Sequence, residues 1–164
     1  LMISRRVMMT GAALGVAGCS TSKFATYDGP KVDRVQIFKE KRVLQLISGT
    51  TLLKSYDFEL GFAPVGHKQI EGDGRTPEGT YVIDRRNPNS RYHLSVGISY
   101  PNRVDVAKAR AMGESPGGDI FIHGTPKEVI GETDWTWGCI AVSNDEIEEI
   151  YAMVDNGTVI LITA

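Results

Sequence analysis

The sequence predicts a mainly β domain with two or three helices, and three observations support this. Short alternating apolar stretches separated by turn residues recur along the chain, as expected of half-buried strands. Residues 61–79 are rich in glycine and charge, which predicts a long irregular loop. Residues 143–154 combine a capping sequence with one apolar stripe, which predicts a helix near the C-terminal end.

The strands are predicted from alternation and their connections from turn residues. Segments 32–38, 42–48 and 52–60 are joined by short turns at 39–41 and 49–50, so they predict an antiparallel meander. Residues 120–122 are wholly apolar, and we expect them to be buried on both faces. Further strands are predicted at 80–84, 93–99 and 158–163.

Two helices are predicted between these strands. In the second one, Ser143 is the expected N-cap, Glu146 completes a capping box, and Gly157 follows its end. Its apolar stripe consists of Ile147, Ile150, Tyr151 and Val154. Residues 103–112 also have helical composition, with an apolar side formed by Val104, Ala107, Ala111 and Met112.

The N-terminus predicts an export signal. Arg5 and Arg6 precede a mostly apolar run at 7–16 that is too short to span a bilayer. The sequence Val16-Ala17-Gly18-Cys19 resembles a bacterial lipobox, which predicts that Cys19 is lipidated and becomes the mature N-terminus. The alternatives are an ordinary cleaved signal peptide and, from the paired arginines, a twin-arginine signal.

These features predict a signal peptide at 1–18, a lipidated tether at 19–31 and one domain at 32–164. The expected location is the bacterial periplasm, on a lipid anchor, with Ser20 favouring the outer membrane. Without the two leader arginines, the 18 basic residues become 16 against 20 acidic ones, a formal charge of −4. This charge argues against a nucleic-acid partner. The sequence leaves the oligomeric state open.

Cys139 is the residue that most strongly predicts chemistry. With Cys19 lipidated, it has no partner for an internal disulfide in an exported chain. His123 follows a predicted strand, and a thiol with an imidazole in reach is the basis of nucleophilic catalysis. We expect a lowered thiol pKa and oxyanion donors in the N–H groups near Gly138 and Cys139. The residues alone equally allow a buried cysteine and a structural histidine.

Several motifs together resemble the catalytic domain of the L,D-transpeptidase (YkuD-like) family, in its lipoprotein branch. The resemblance covers residues 32–163 and implies a β-sandwich-like fold, with 32–164 as the catalytic domain. The motifs are Gly66-His67-Lys68, Gly72 through Tyr81 with Thr76-Pro77, Ile122-His123-Gly124 and Gly138-Cys139-Ile140.

The resemblance also implies a mechanism. Cys139 would be the nucleophile, His123 the base, and the carbonyl of Gly124 the group that orients the imidazole. The thiolate would attack the L-centre carbonyl of the diamino acid in a peptidoglycan stem peptide, release the terminal D-alanine and leave a thioester. An amine from a second stem would then form a crosslink. No metal or cofactor is implied, and the expected partners are stem peptides and, through the lipid, a membrane.

Two positions depart from the family pattern. Trp137 stands where the family often has histidine, and Ala141 where it commonly has arginine, which removes a guanidinium that could hold a carboxylate. Candidate substrate-binding residues are Trp135, Trp137 and Arg75, although both tryptophans could instead belong to the core. Further basic candidates are Arg85, Arg86, Arg91 and Lys127.

The departures keep other functions open. Water could replace the acceptor amine, which would give a cysteine amidase or carboxypeptidase that hydrolyses stems or detaches wall-linked proteins. A metal site of Cys139, His123 and either His93 or His67 has suitable ligand types but no metal-binding spacing. A non-catalytic wall-binding lipoprotein is the remaining alternative.

Overall fold

The structure is a computed structural model that describes residues 22–164. The predicted signal peptide at 1–18 and the lipidation candidate Cys19 lie outside the described residues. Neither helix in the described part is long and apolar enough to cross a membrane. The predicted class is confirmed, because this part contains eight strands and two α-helices.

The observed elements follow the predicted order. The strands are β1 (Arg34–Phe38), β2 (Val43–Ser48), β3 (Thr51–Asp57), β4 (Gly79–Asn87), β5 (Ser95–Ile98), β6 (Phe121–His123), β7 (Ile140–Ala141) and β8 (Val159–Thr163). The helices are α1 (Arg103–Ala111) and α2 (Asn144–Met153), and a 3-10 turn covers Lys127–Val129. Strand β4 extends past the predicted end at 84, because its polar last residues still pair with β5. The two-residue strand β7 was not predicted, since it is too short to show alternation.

The strands form one sheet in the order β3-β2-β1-β8-β4-β5-β6-β7. The predicted meander is confirmed, because β1 pairs antiparallel with β2, and β2 with β3. Strand β8 lies parallel to β1 and antiparallel to β4. Strand β4 is long enough to pair with β8 through its first half and with β5 through its second half. It therefore joins two halves of the sheet.

The sheet curls until its two edges meet. Beyond β3, Glu59 forms an antiparallel bridge with Ala141 of β7, with N–H···O distances of 2.8 and 2.9 Å. Gly61 similarly bridges Thr136. Edge strands expose unpaired backbone groups, and the bridge to Glu59 satisfies those of Ala141 in edge strand β7. The inner faces of both halves then enclose one core, which explains the sandwich-like appearance.

Helix α2 covers part of this core through its predicted stripe. Ile147 and Ile150 are fully buried, and the predicted capping box of Ser143 with Glu146 is present. Helix α1 differs from its prediction. Its supposed apolar side is largely solvent-exposed, with Val104 at 59% and Met112 at 49%. The helix is attached mainly through polar contacts.

The loop between β3 and β4 is irregular but firmly held. Two lysines, Lys39 and Lys68, are each only 3% exposed, which is rare for an unpaired cation. The Nζ of Lys39 donates to the carbonyls of Gly66 and Thr76 and to the carboxylate of Glu78, at 2.6 to 3.2 Å. The Nζ of Lys68 donates to the Asp73 carboxylate at 2.9 Å. The bonds of Lys39 fix the loop against the end of β1, and the bond of Lys68 closes the loop on itself.

Candidate active site

The pairing of β6 with β7 places the two predicted reacting residues on one face of the sheet. In the parallel register, Ile122 lies beside Ile140, and both side chains point into the core. Because successive side chains point to opposite faces, His123 and Cys139 both project from the other face. Ser95 of β5 lies opposite His123 and completes this surface. Sheet register therefore brings together residues that are separated by the loop from 124 to 138.

The His123 and Cys139 side chains open into the same cavity, which has a volume of about 250 Å³. Phe121 also lines this cavity, so the expectation that residues 120–122 are buried on both faces is wrong. The full lining is Asn87, Ser90, Arg91, Tyr92, Ser95, Asp119, Phe121, His123 and Cys139. A larger cavity of about 650 Å³ touches Trp135, but neither reacting residue lines it.

The His123 ring is fixed in one tautomer. Its Nδ1 lies 2.7 Å from the carbonyl oxygen of Gly124. A carbonyl only accepts hydrogen bonds, so Nδ1 carries the proton and donates it, and Nε2 keeps a free lone pair. The ring is 2% exposed and stacks on Tyr92 at 4.4 Å, with the edge of Trp135 at 5.6 Å. Burial lowers the pKa of His123 to about 4, although the bond to Gly124 opposes this. The imidazole is therefore neutral at pH 7.

The Cys139 thiol is also neutral at rest. Its sulfur donates a hydrogen bond to the main-chain carbonyl of Asp119 at 3.5 Å, and not to the imidazole. Burial raises the pKa of Cys139, and the hydrogen bond from the N–H of Phe121 only partly offsets this. The lowered thiol pKa that we expect of a catalytic cysteine is therefore not found, because burial outweighs the effects that lower it. The shared cavity thus holds a neutral thiol and a neutral imidazole, and not a preformed ion pair.

Two glycines are required by close backbone approach. Gly138 has φ of +117°, and a Cβ there would lie 2.4 Å from the carbonyl oxygen of Arg75. A Cβ on Gly124 would lie 2.9 Å from the main-chain carbonyl oxygen of Tyr92. Any side chain at these positions would displace the segments that carry Cys139 and His123.

The oxyanion donors differ from the expected pair. The N–H of Gly138 donates to the Thr136 hydroxyl at 3.2 Å, and that hydroxyl donates to the carbonyl of Cys139 at 2.8 Å. The Cys139 N–H has no acceptor among residues 22–164. A developing negative oxygen near the sulfur can therefore use the Cys139 N–H, whereas the Gly138 N–H is already occupied.

The predicted substrate-binding residues do not lie together. Trp137 is 71% exposed and packs edge-on against Phe62 at 5.0 Å. Trp135 packs against the His123 ring and faces the larger cavity. Arg75 approaches the site with its main chain, at Gly138. Their substrate-binding roles stay predictions.

The four further basic candidates differ in whether their charge is free to bind a substrate in the cavity of Cys139. Arg85 donates to the carboxylates of Asp84 and Asp119. Arg86 donates to the Tyr151 carbonyl and to Asp155. Lys127 lies in the 3-10 turn, away from the cavity lining. Arg91 is exposed and lines the cavity that holds Cys139.

The metal-site alternative is contradicted by the positions of its ligands. His67 contacts Asp105 at 3.2 Å, and His93 contacts Glu148 at 2.7 Å. Neither reaches the cavity of Cys139 and His123. Residues 22–164 contain no group of three histidine, cysteine or acidic side chains placed to share an ion.

Sequence reasoning missed the residues that support the reacting pair. Tyr92, which stacks on His123, was hidden in a polar connection between β4 and β5. Thr76 and Thr136, which brace the Gly138 segment, gave no signal beyond their place in the motifs. An aromatic residue inside a polar loop is the one sequence signal that pointed to Tyr92.

Comparisons with known proteins agree with this arrangement. The catalytic-domain model of the YkuD L,D-transpeptidase family matches residues 33–162. YafK of Escherichia coli strain K12, which its name places with the L,D-transpeptidases, is 35% identical over 131 residues, covering 76% of this chain and 48% of that protein.

Solved structures are also similar. The crystal structure of the helical cell shape determining protein Pgp2 from Campylobacter jejuni has a TM-score of 0.65 and 28% identity, covering 83% of this chain and 49% of that one. Bd1075 of Bdellovibrio bacteriovorus has a TM-score of 0.58 and 26% identity, covering 81% and 48%. This chain spans about half the length of these relatives. With the family model matched along most of its length, the chain belongs to the L,D-transpeptidase (YkuD) catalytic-domain family.

Proposed function

We propose that this protein is a cysteine acyltransferase that acts on peptidoglycan stem peptides and crosslinks or remodels the cell wall through a thioester. The observation that carries the proposal is the shared cavity of His123 and Cys139, in which the Nε2 lone pair is free to accept a proton. Family membership supplies the substrate class.

The first half-reaction needs the thiol to turn from the Asp119 carbonyl towards His123. Nε2 then accepts the thiol proton as the sulfur attacks the L-centre carbonyl of the stem's diamino acid. The negative oxygen of the tetrahedral intermediate accepts a hydrogen bond from the Cys139 N–H. The carbon–nitrogen bond breaks, the imidazolium returns the proton to the leaving D-alanine amine, and a thioester remains on Cys139.

The second half-reaction repeats these roles in reverse. An amine of another stem attacks the thioester carbonyl and gives a proton to Nε2. The carbon–sulfur bond breaks, and the thiolate recovers its proton from the imidazolium. Water in place of the amine gives hydrolysis of the stem or release of a wall-linked protein. Hydrolysis is kept as the alternative because the arginine common in the family is missing at position 141.

The proposed location is the periplasm, on a lipid at Cys19. Lys23 follows that position closely in sequence and contacts the catalytic domain. The Nζ of Lys23 donates to the carbonyls of Pro88 and His93, at 2.6 and 3.1 Å. The start of the described chain therefore packs against the connection that carries Tyr92. The tether at 19–31 stays a prediction.

Incubation of the purified protein with a tetrapeptide stem tests the proposal. We expect a mass increase on the protein that corresponds to a tripeptide thioester, together with free D-alanine. With an acceptor stem present, a crosslinked dimer indicates transpeptidation, whereas free tripeptide indicates hydrolysis. The wild-type protein should also be treated with an alkylating reagent to show that the Cys139 thiol is accessible. If the thiol is alkylated but no thioester forms, the enzyme proposal is contradicted and a wall-binding protein is favoured.

Arg91 is expected to bind a carboxylate of the stem peptide. It lines the reacting cavity and has no ion-pair partner within residues 22–164. Arg91→Gln should raise KM about tenfold with little change in kcat, because a charge-assisted hydrogen bond is worth roughly 1.5–3 kcal/mol when fully formed and less when exposed. Arg110→Gln removes the same charge from exposed helix α1 and is the matched control. Equal KM values for the two variants would contradict this role.

A further inference from the structure

Thr76 makes one buried contact with the segment that carries the nucleophile. Its hydroxyl donates to the carbonyl oxygen of Gly138 at 2.8 Å, and its side chain is completely buried. Thr76 lies in the loop before β4, far along the chain from Cys139. The contact therefore links two segments that only the fold brings together.

This contact fixes a peptide plane. The Gly138 carbonyl and the Cys139 N–H belong to the same peptide unit, which is planar, and in the usual trans form they point in opposite directions. Holding the carbonyl oxygen on the Thr76 side therefore directs the N–H to the other side. Since Gly138 has φ of +117°, its backbone adopts a region open mainly to glycine and needs external restraint.

The threonine is itself held in place. Its own carbonyl accepts a hydrogen bond from the Nζ of Lys39 at 3.2 Å, and Lys39 is 3% exposed. On the opposite side, Thr136 binds the N–H of Gly138 and the carbonyl of Cys139. Two buried threonines thus bind the Gly138 N–H and the carbonyl oxygens of Gly138 and Cys139. The Cys139 N–H is left without a partner in the described structure.

We infer that Thr76 is a positioning residue, which aims the Cys139 N–H at the oxyanion through its hydrogen bond to Gly138. The inference rests on the proposed function, because it requires a reaction with a tetrahedral oxyanion. Thr76 does not touch the sulfur or the substrate, and its effect is transmitted by the peptide plane alone.

The test compares two reactions of the same sulfur. Acylation by a tetrapeptide stem develops an oxyanion, whereas alkylation by iodoacetamide does not. Thr76→Val keeps the shape of the side chain and removes the hydroxyl. We expect kcat for acylation to fall about 10- to 100-fold, below the full 10²–10³ loss of an oxyanion donor. KM and the alkylation rate should stay within about twofold.

Thr76→Ser keeps the hydroxyl and should restore kcat to within about threefold of wild type, since it can donate the same bond. Thr76→Ala carries the same test if the valine variant does not fold. An unchanged kcat in the hydroxyl-free variant, or a parallel loss of acylation and alkylation, would overturn the inference and leave the proposed function intact. A wild-type protein that forms no thioester overturns both.

Discussion

Replacement of Cys139 by alanine is expected to abolish thioester formation on a stem peptide. In the proposed mechanism the sulfur is the atom that becomes covalently bound to the acyl group, and no other cysteine lies in the described structure. Loss of a nucleophile costs on the order of 10⁶ in kcat where it has been measured in hydrolases, so the residual rate should fall below detection. Any covalent adduct of a carbapenem, which would acylate the same sulfur, should disappear as well.

Mass spectrometry of the intact protein measures both adducts directly. The matched control is Cys139→Ser, which keeps a nucleophilic atom at the position and a similar size. Because Cys139 is only partly buried, neither variant should change the free energy of unfolding by more than about 1 kcal/mol. A tripeptide or carbapenem adduct on the folded alanine variant would disprove the assignment of the nucleophile.

Replacement of His123 by asparagine is expected to lower the acylation rate about 10²- to 10⁴-fold, the usual contribution of a general base. Burial raises the pKa of the thiol although the charges of Lys68 and Arg85 oppose this, so in the proposed mechanism the thiol depends on Nε2 to remove its proton. The asparagine amide can still donate to the Gly124 carbonyl, so the local backbone should be kept. The loss then reports the missing base rather than a displaced strand.

The pH dependence of acylation is a second test of His123 as the general base. His123 acts as a base only when neutral, and burial lowers its pKa to about 4. We therefore expect kcat/KM to stay high as pH falls through 6.5 and to drop only near pH 4. An acidic limb at pH 6 to 7 in wild-type protein would mean that the imidazole is more hydrated than the structure shows.

The same group links pH to stability. Between pH 6.5 and 4 the unfolded chain protonates this histidine, whereas the folded chain does not. Stability is therefore complete above pH 6.5 and declines as pH falls towards 4, by roughly 3 kcal/mol at about 1.36 kcal/mol for each pKa unit. His123→Asn should lack this loss. Urea unfolding of both proteins at pH 7 and pH 4.5 measures how much the free energy of unfolding falls between the two pH values. An equal fall in wild type and His123→Asn would contradict this prediction.

The fold class could be predicted because hydrophobic alternation is local. Strands such as β1 and β2 show it over five or six residues, and the helix at α2 has both a cap and a stripe. Pairing partners across long separations could not be predicted. The parallel neighbour of β1 is β8, at the other end of the chain. The helix α1 was predicted for its composition, yet its apolar side faces solvent, because Asp105 makes the buried contacts.

The sequence by itself determined which chemical groups are the candidates for the reaction, a thiol and an imidazole. Cysteine and histidine are rare in this chain, and each lies in a short motif that can be recognised without the fold. Only the tertiary structure decided their state. Burial lowers the pKa of His123 and raises that of Cys139, which favours the neutral form of both, and register places them in one cavity. It also showed which backbone groups around Gly138 are bound by Thr76 and Thr136, on which the proposed oxyanion donor depends. Such properties arise from desolvation and from contacts between distant segments, which no local pattern records.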